Sequence, residues 1–335
     1  MDTQQGGSGT ERPGQPDQPD QPALDAYSRV VTGVAEQLLP HVASLRVWLR
    51  RGSVANTAIA TGSAVVLTDD GFLVTNAHVV DGGRNGVAAF GDGTEVEFDV
   101  VGADPLSDLA VVRARGTVPA RAEFGDADQL KVGQLVVAVG SPLGLVGSVT
   151  AGVVSGLRRS LPTRDGGARR LVEDVIQTDA VLNPGNSGGA LADSSARVVG
   201  INTAVAGIGL GLAVPVNGTT RRILATLLRE GRVRRGYLGV VGMPVRVPPA
   251  LADRTATGDQ VVALRIVDVV VGSPAARAGL VPGDLVLAAA GTPIDSTQAL
   301  QGLLFGESIG EPFPMTVARH GALTEVIAIP ADLTG

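Results

Sequence analysis

The chain has no cysteine, and its 335 residues include only three histidines and 3% aromatic residues. The lack of cysteine excludes disulfides, thiol catalysis and cysteine-ligated zinc. His41, His78 and His320 are isolated in the sequence, and no H-E-x-x-H or similar ligand spacing occurs. We therefore expect no metal ion and no cofactor. The formal net charge of −6 gives no electrostatic reason to expect nucleic acid as a partner.

The scarcity of aromatic residues, together with 46 glycines, 20 prolines and many Val and Thr segments, favours a loop-rich β protein. Residues 1–22 are mostly Gly, Gln, Pro and Asp and are predicted to be disordered. No basic-then-apolar export segment is visible there, so the sequence as given predicts a cytoplasmic protein. Residues 132–157 carry no charge, but Pro142 and six glycines interrupt them, which favours strand-loop-strand over a membrane helix.

Periodicity along the chain predicts five segments. After the disordered start, apolar residues at spacings of three and four predict an amphipathic helix over 23–40. Short strands separated by turn signals fill residues 41–216 in two successive groups, which suits two packed barrels with a cleft between them. A linker helix is predicted over 217–235, with Gly231 ending its helical part, and a separate unit over 236–332. Arg158–Arg170 is polar and basic and is predicted to be a loop between strands.

Three motifs carry the chemistry: Thr75-Asn76-Ala77-His78, Ser107-Asp108 and Gly185-Asn186-Ser187-Gly188-Gly189. A serine is activated by a histidine base, which a carboxylate orients in turn, and the order His, Asp, Ser is that of chymotrypsin-like proteases. Each motif alone has a plain alternative, since a serine between glycines is usually a turn. Gly185–Gly189 also fits the nucleophile elbow of α/β-hydrolases, but their histidine follows the serine, and a strand rather than a helix follows here.

These motifs and their flanks resemble the HtrA (Deg) family of trypsin-fold serine proteases. The similarity covers roughly residues 42–330 and includes TNAHVV from Thr75, SDLAVV from Ser107, NPGNSGGAL from Asn183 and GYLGV from Gly236. It implies a mostly-β chymotrypsin-like double barrel followed by a PDZ domain. It also implies a serine endopeptidase of protein quality control that degrades unfolded or misfolded polypeptides, often as a homotrimer and often in the cell envelope or periplasm.

The resemblance assigns roles to individual residues. His78, Asp108 and Ser187 would be catalytic, and the backbone N–H groups of Gly185 and Ser187 would form the oxyanion hole. Leu182 and Ala204 would border the pocket for the residue before the cleaved bond, with no acid to hold Lys or Arg, so aliphatic residues are expected there. Peptide C-termini would bind at the loop formed by Tyr237, Leu238, Gly239 and Val240.

Several questions stay open at the level of sequence. The helix over 23–40 is expected either to build a trimer, with Tyr27 in the contact, or to dock on its own barrel. Leu300, Leu303 and Leu304 fit either a peptide pocket or a plain core. Because Asn186 cannot pair with a new N-terminal amine, activation by N-terminal cleavage is not expected. The alternative function is a latent protease that acts as a chaperone or PDZ scaffold.

Overall fold

The computed structural model of the protein describes residues 21–50, 57–141, 147–165, 168–205, 210–248, 251 and 261–333. The predicted disordered segment 1–22 lies outside these residues except for its last two, which begin the first helix. No helix in the described part of the chain is long and apolar enough to cross a membrane.

Six antiparallel strands close a first barrel in the order β1-β2-β3-β6-β5-β4. Alternate residues of a strand point to opposite faces, and accordingly Ala43, Leu45 and Val47 fill the barrel interior. A short helix, α2 (Ala77–Val80), follows β3. The strands are β1 (Val42–Arg50), β2 (Thr57–Val66), β3 (Phe72–Thr75), β4 (Gly83–Ala89), β5 (Glu95–Asp104) and β6 (Leu109–Ala114).

A second barrel has the order β10-β11-β12-β9-β8-β7, which repeats the topology of the first. The predicted fold class, a chymotrypsin-like double barrel, is therefore confirmed. The strands are β7 (Leu135–Gly140), β8 (Ser148–Asp165), β9 (Ala168–Thr178), β10 (Ala190–Ala192), β11 (Val198–Val205) and β12 (Gly211–Pro215).

The prediction of a loop over Arg158–Arg170 is wrong. Residues 158–165 continue β8 and residues 168–170 begin β9, and the two strands pair from Val154↔Thr178 out to Asp165↔Ala168. The physical reason is that strand pairing is made by backbone hydrogen bonds, which do not require an apolar sequence, and Asp165-Gly166-Gly167 supplies a turn signal in the sequence. Residues 166 and 167 lie outside the described part.

Two helices pack on the barrels. In α1 (Gln21–Leu38), Val34 and Leu38 are buried in an apolar cluster that joins both barrels, while Tyr27 is 48% exposed. Of the two roles open for this helix, docking on its own barrels is thus visible at its C-terminal end. In α3 (Gly218–Glu230), the Asn217 side chain accepts a hydrogen bond from the Thr220 N–H, and Gly231 ends the helix with φ +70°.

The region where the sequence predicted a last, separate unit contains a small antiparallel sheet. Its path is β14-β15-β16-β18-β19, with β17 on β16 and a separate β13–β20 pair. Phe305 of this unit is buried in the cluster that joins the barrels, and the guanidinium groups of Arg222 and Arg235 stack on its ring at 4.3 and 4.5 Å. The elements are β13 (Gly236–Tyr237), β14 (Val240–Arg246), β15 (Val262–Val269), α4 (Pro274–Arg277), β16 (Leu285–Ala289), β17 (Thr292–Pro293), α5 (Thr297–Gln301), β18 (Phe313–Arg319), β19 (Ala322–Ala328) and β20 (Ala331–Asp332).

Candidate active site

The three candidate catalytic residues lie where the two barrels meet. His78 is in α2 and Asp108 in the turn between β5 and β6, both in the first barrel, whereas Ser187 precedes β10 in the second. The Ser63 N–H of β2 donates to the Ser187 carbonyl at 2.7 Å, which joins the barrels directly at the serine. Ser187 therefore shares one site with two residues that lie more than 70 positions before it in the sequence.

His78, which is partly exposed, forms a hydrogen-bonded pair with the buried Asp108. His78 Nδ1 lies 2.8 Å from Asp108 Oδ2 and 3.0 Å from Oδ1, and the His78 backbone N–H donates to Oδ1 at 3.1 Å. The Asp108 side chain is only 3% exposed, against 21% for His78. Because a carboxylate only accepts, Nδ1 carries the hydrogen, and Nε2 is left as the proton acceptor. The imidazole is thereby held in the tautomer that a general base needs.

The backbone of Asp108 is in an unusual conformation. Its φ is +56°, a left-handed region that costs free energy for a residue with a side chain. Two donors hold it there: Asn76 Nδ2 and the Ala77 N–H both bind the Asp108 carbonyl, at 3.0 and 3.2 Å. The start of the α2 segment thus fixes both the acid and the histidine.

The Ser187 hydroxyl donates to the backbone carbonyl of Thr203 at 2.6 Å. In the part of the chain that the structure describes, no hydrogen bond joins Ser187 Oγ to His78. The Thr203 hydroxyl in turn donates to Asp108 Oδ2. Thr203, which is 2% exposed, therefore contacts the serine through its backbone and the acid through its side chain.

The turn that carries Ser187 depends on two glycines. Gly185 has φ +98° and Gly188 has φ +86°, and a Cβ on Gly188 would lie 2.0 Å from the Ser63 carbonyl oxygen. Ser63 also fixes the turn through its hydroxyl, which donates to the Gly185 carbonyl at 2.6 Å. Within the described residues, the backbone N–H groups of Gly185 and Ser187 donate to no protein acceptor. Both amides are therefore available to a ligand.

Asn186 is buried beneath this turn at 1% exposure. A Cβ on Gly140 would lie 2.5 Å from Asn186 Oδ1, so the absence of a side chain at Gly140 makes room for the amide. Neither polar atom of the Asn186 side chain has a hydrogen-bond partner in the described part of the chain.

Leu182 and Ala204, expected beside the substrate pocket, occupy different settings. Leu182 is 9% exposed and packs in the core of the second barrel, and a Cβ on Gly211 would lie 3.0 Å from Leu182 Cγ. Ala204 directly follows Thr203 in β11, and its side chain lies outside the described part of the structure.

The predicted peptide-binding loop borders a groove in the last unit. Tyr237, Leu238, Gly239 and Val240 line a cavity of about 210 Å³ opposite α5. Leu300 and Leu304, at 2% and 5% exposure, face this cavity and also belong to the core, while Leu303 is partly buried against the same core. Leu300 and Leu304 therefore belong to the core and line the cavity at the same time, so the two roles that the sequence left open for them are compatible.

Sequence reasoning assigned no role to Thr203 or Ser63. Thr203 lies in β11, and its contacts with Ser187 and Asp108 arise only from the tertiary packing of the barrels. For Ser63 the sequence carried no signal, since a buried serine in a strand has no distinct pattern.

Comparison with known proteins agrees with this geometry. The chain matches the trypsin-like peptidase domain family over residues 62–201 and the PDZ domain family over residues 265–319. A DegP-like periplasmic serine endoprotease of Halomonas elongata is 38% identical over 276 residues, covering 81% of this chain and 56% of the relative. The serine protease HhoB of Synechocystis is 36% identical over 287 residues, covering 82% of this chain and 68% of that one. The chain thus spans about half to two thirds of the length of these relatives.

Among solved structures, the HtrA-type protease AlgW with tripeptide has a TM-score of 0.74 at 30% identity. That match covers 91% of this chain and 98% of the AlgW chain. Strand order, site geometry and these similarities lead to one conclusion: the chain belongs to the HtrA family of trypsin-fold serine endoproteases, with a PDZ domain after the protease domain.

Proposed function

We propose that this chain is a serine endopeptidase that hydrolyses unfolded or misfolded polypeptides through an acyl-enzyme. The single observation that carries the proposal is the hydrogen-bonded His78–Asp108 pair, which leaves His78 Nε2 as a base. It lies beside a serine turn whose Gly185 and Ser187 amides donate to no acceptor among the described residues. The boundaries of the protease domain (41–216), the linker helix (217–235) and the PDZ domain (236–332) are part of the same proposal.

In the proposed reaction, the Ser187 hydroxyl leaves the Thr203 carbonyl and turns to His78 Nε2. His78 takes its proton as Oγ bonds to the scissile carbonyl carbon, and Asp108 stabilises the resulting imidazolium. The N–H groups of Gly185 and Ser187 hold the oxyanion. His78 then gives the proton to the leaving amine, and a water activated by the same base releases the acyl group. The side chain before the cleaved bond is expected to be aliphatic and to lie near Leu182 and Ala204.

For the PDZ domain, we propose that the groove at Tyr237–Val240 binds peptide C-termini and that this binding regulates hydrolysis. The Leu238 and Gly239 backbone N–H groups donate to no acceptor among the described residues, and Gly239 has φ +80°. Successive unbonded amides around a left-handed residue form a site for a carboxylate. The AlgW structures, described as complexes with a tripeptide and a decapeptide, support a peptide ligand for this family.

A homotrimer and a cell-envelope location complete the proposal. The exposed Tyr27 on α1 is the residue expected at the trimer contact. The descriptions of relatives as periplasmic favour the envelope over the cytoplasm that the sequence first suggested.

The test is hydrolysis of casein by the wild type and by Ser187→Ala, each with and without a peptide that ends in an apolar residue. We expect the substitution to abolish cleavage and the peptide to change the wild-type rate. Cleavage that survives in Ser187→Ala would contradict the assignment of the nucleophile. A wild-type rate that does not respond to a bound peptide would contradict the regulation.

The second candidate is a latent protease that acts as a chaperone or scaffold. One observation favours it, namely that the Ser187 hydroxyl hydrogen-bonds Thr203 rather than His78. If that arrangement persisted in the presence of substrate and peptide, the protein would bind unfolded polypeptides without cleaving them. Aggregation assays on Ser187→Ala and on the wild type would then give equal protection.

A further inference from the structure

The peptide groove of the PDZ domain has a wall that belongs to the protease domain. Besides the Tyr237–Val240 loop and α5, the cavity is lined by Leu106. This residue lies in the turn between β5 and β6 of the first barrel, two positions before Asp108. Its side chain is 55% exposed, and the surface it presents borders the same apolar cavity as Leu300 and Leu304.

A single exposed leucine is ordinary on a protein surface. Leu106 differs because it lines a mostly apolar cavity that is also lined by Leu238 and Gly239, whose backbone amides donate to no acceptor among the described residues. The backbone at Gly239 packs directly against Ser273, since a Cβ on Gly239 would lie 2.3 Å from Ser273 Cβ. A ligand whose carboxylate met the Leu238 and Gly239 amides would place its terminal side chains in the cavity that Leu106 borders.

The position of Leu106 is fixed from both sides of its turn. Asp104 Oδ2 accepts from Arg235 at 2.5 Å and from the Ser107 hydroxyl at 2.6 Å. The Asp104 and Arg235 side chains are 4% and 13% exposed, so this ion pair is largely shielded from water. The Arg235 carbonyl also accepts from the Leu333 N–H at 2.7 Å. The turn and the groove are therefore held together before any ligand arrives.

We infer that Leu106 is part of the peptide-binding pocket, and that a bound peptide with a free C-terminal carboxylate and an apolar terminal residue packs against it. This inference rests on the proposed peptide binding by the PDZ domain and adds a specificity-determining residue that lies outside that domain. A bound peptide would thereby contact the turn that carries Asp108.

The experiment measures peptide affinity by fluorescence anisotropy, using the full chain with Ser187→Ala so that the peptide is not cleaved. The probe is a fluorescein-labelled decapeptide that ends in leucine with a free carboxylate. Leu106→Ala is expected to weaken binding about 5- to 10-fold, since it removes part of an apolar contact. Leu106→Met keeps an apolar side chain of similar volume and is expected to stay within about twofold.

Two controls separate a pocket contact from a general effect. Leu323 on β19 is 36% exposed and is not among the residues that line the cavity. The affinity of the Leu323→Ala variant for the leucine peptide is therefore expected to equal that of the parent chain. The second control is a peptide that ends in alanine. Leu106→Ala is expected to reduce the affinity for this peptide less than the affinity for the leucine peptide, because two side chains that contact each other show non-additive effects in a double-mutant cycle.

The outcomes distinguish the two levels of the argument. If the parent chain binds neither peptide, the proposed function of the PDZ domain is wrong and this inference falls with it. If the parent binds the leucine peptide and Leu106→Ala binds it equally well, the PDZ function stands and the inference is wrong. Equal losses for both peptides would also overturn it, because Leu106 would then act without contacting the terminal side chain.

Discussion

Replacing Thr203 by valine tests whether the acid of the catalytic pair depends on the second barrel. The substitution keeps the shape and the β-branch of the side chain but removes the hydroxyl that donates to Asp108 Oδ2. The backbone carbonyl that accepts from Ser187 remains in place. The change is therefore confined to one hydrogen bond of a carboxylate that is only 3% exposed.

The magnitude follows from that burial. Water has little access to replace the lost donor, and leaving a buried acceptor without one donor costs about 1–3 kcal/mol. The carboxylate is needed most when His78 becomes an imidazolium, so we expect most of this cost in the transition state. Since about 1.4 kcal/mol corresponds to a factor of ten in rate, kcat/KM should fall about 10- to 100-fold.

The assay is hydrolysis of a fluorogenic unfolded protein substrate, at a temperature well below the melting point of both variants. Thr203→Ser is the matched control, because it keeps the hydroxyl, and it should stay within about threefold of the wild type. A Thr203→Val variant that is folded and as active as the wild type would show that the hydrogen bond from Thr203 to Asp108 does not support catalysis. So would an equal loss in Thr203→Ser, since the hydroxyl would then not be the cause.

Three further predictions concern the backbone and one carboxylate. Gly188→Ala should abolish hydrolysis and lower the melting temperature, because the new Cβ would lie 2.0 Å from the Ser63 carbonyl oxygen and the residue has a φ of +86°. As a control, Gly91→Ala should change neither activity nor melting temperature, since nothing lies within 4 Å of the Cβ position there. Burial raises the pKa of Asp174 in the folded chain. The resulting loss of stability begins once the pH exceeds the lower pKa of the unfolded chain and is complete above the raised folded value. Asp174→Asn should therefore raise the melting temperature at pH 7 by about 1–3 °C and give no gain near pH 3, and a gain that is equal at both pH values would contradict this. Gly33 lies within α1, and nothing lies within 4 Å of the position that a Cβ would occupy. Gly33→Ala should therefore raise the free energy of unfolding, measured by urea titration, by about 0.5–1 kcal/mol. A lower free energy of unfolding would show that the helix is packed at this position.

The parts of the fold that the sequence predicted are those with strong local signals. The helix over 217–230 was bounded by Asn217 and Gly231, and both act as caps in the structure because their preferences are local to the backbone. The two barrels followed from short strands and turns. The order of His78, Asp108 and Ser187 pointed to the chymotrypsin-like fold because chain order differs between unrelated folds that share this chemistry.

What the sequence did not predict depends on tertiary contacts. The outer part of the β8–β9 hairpin, residues 158–170, was predicted as a loop because its sequence is polar, although cross-strand pairing sets its conformation. The hydrogen bond from Ser187 to the Thr203 carbonyl depends on a side-chain rotamer between two strands, which no pattern along the chain encodes. Likewise, Leu106 reads as a turn residue, and only the docking of the last unit on the first barrel brings it to the peptide groove.

Whether His78 activates Ser187 for nucleophilic attack can be measured with a labelled fluorophosphonate probe. We expect the wild type to be labelled, mass spectrometry to place the label on Ser187, and His78→Ala to prevent labelling while the chain remains folded. A wild-type chain that stays unlabelled both alone and in the presence of an unfolded substrate and an apolar C-terminal peptide would show that Ser187 is not activated and would favour the scaffold. Labelling that is undiminished in His78→Ala would contradict the role of the base.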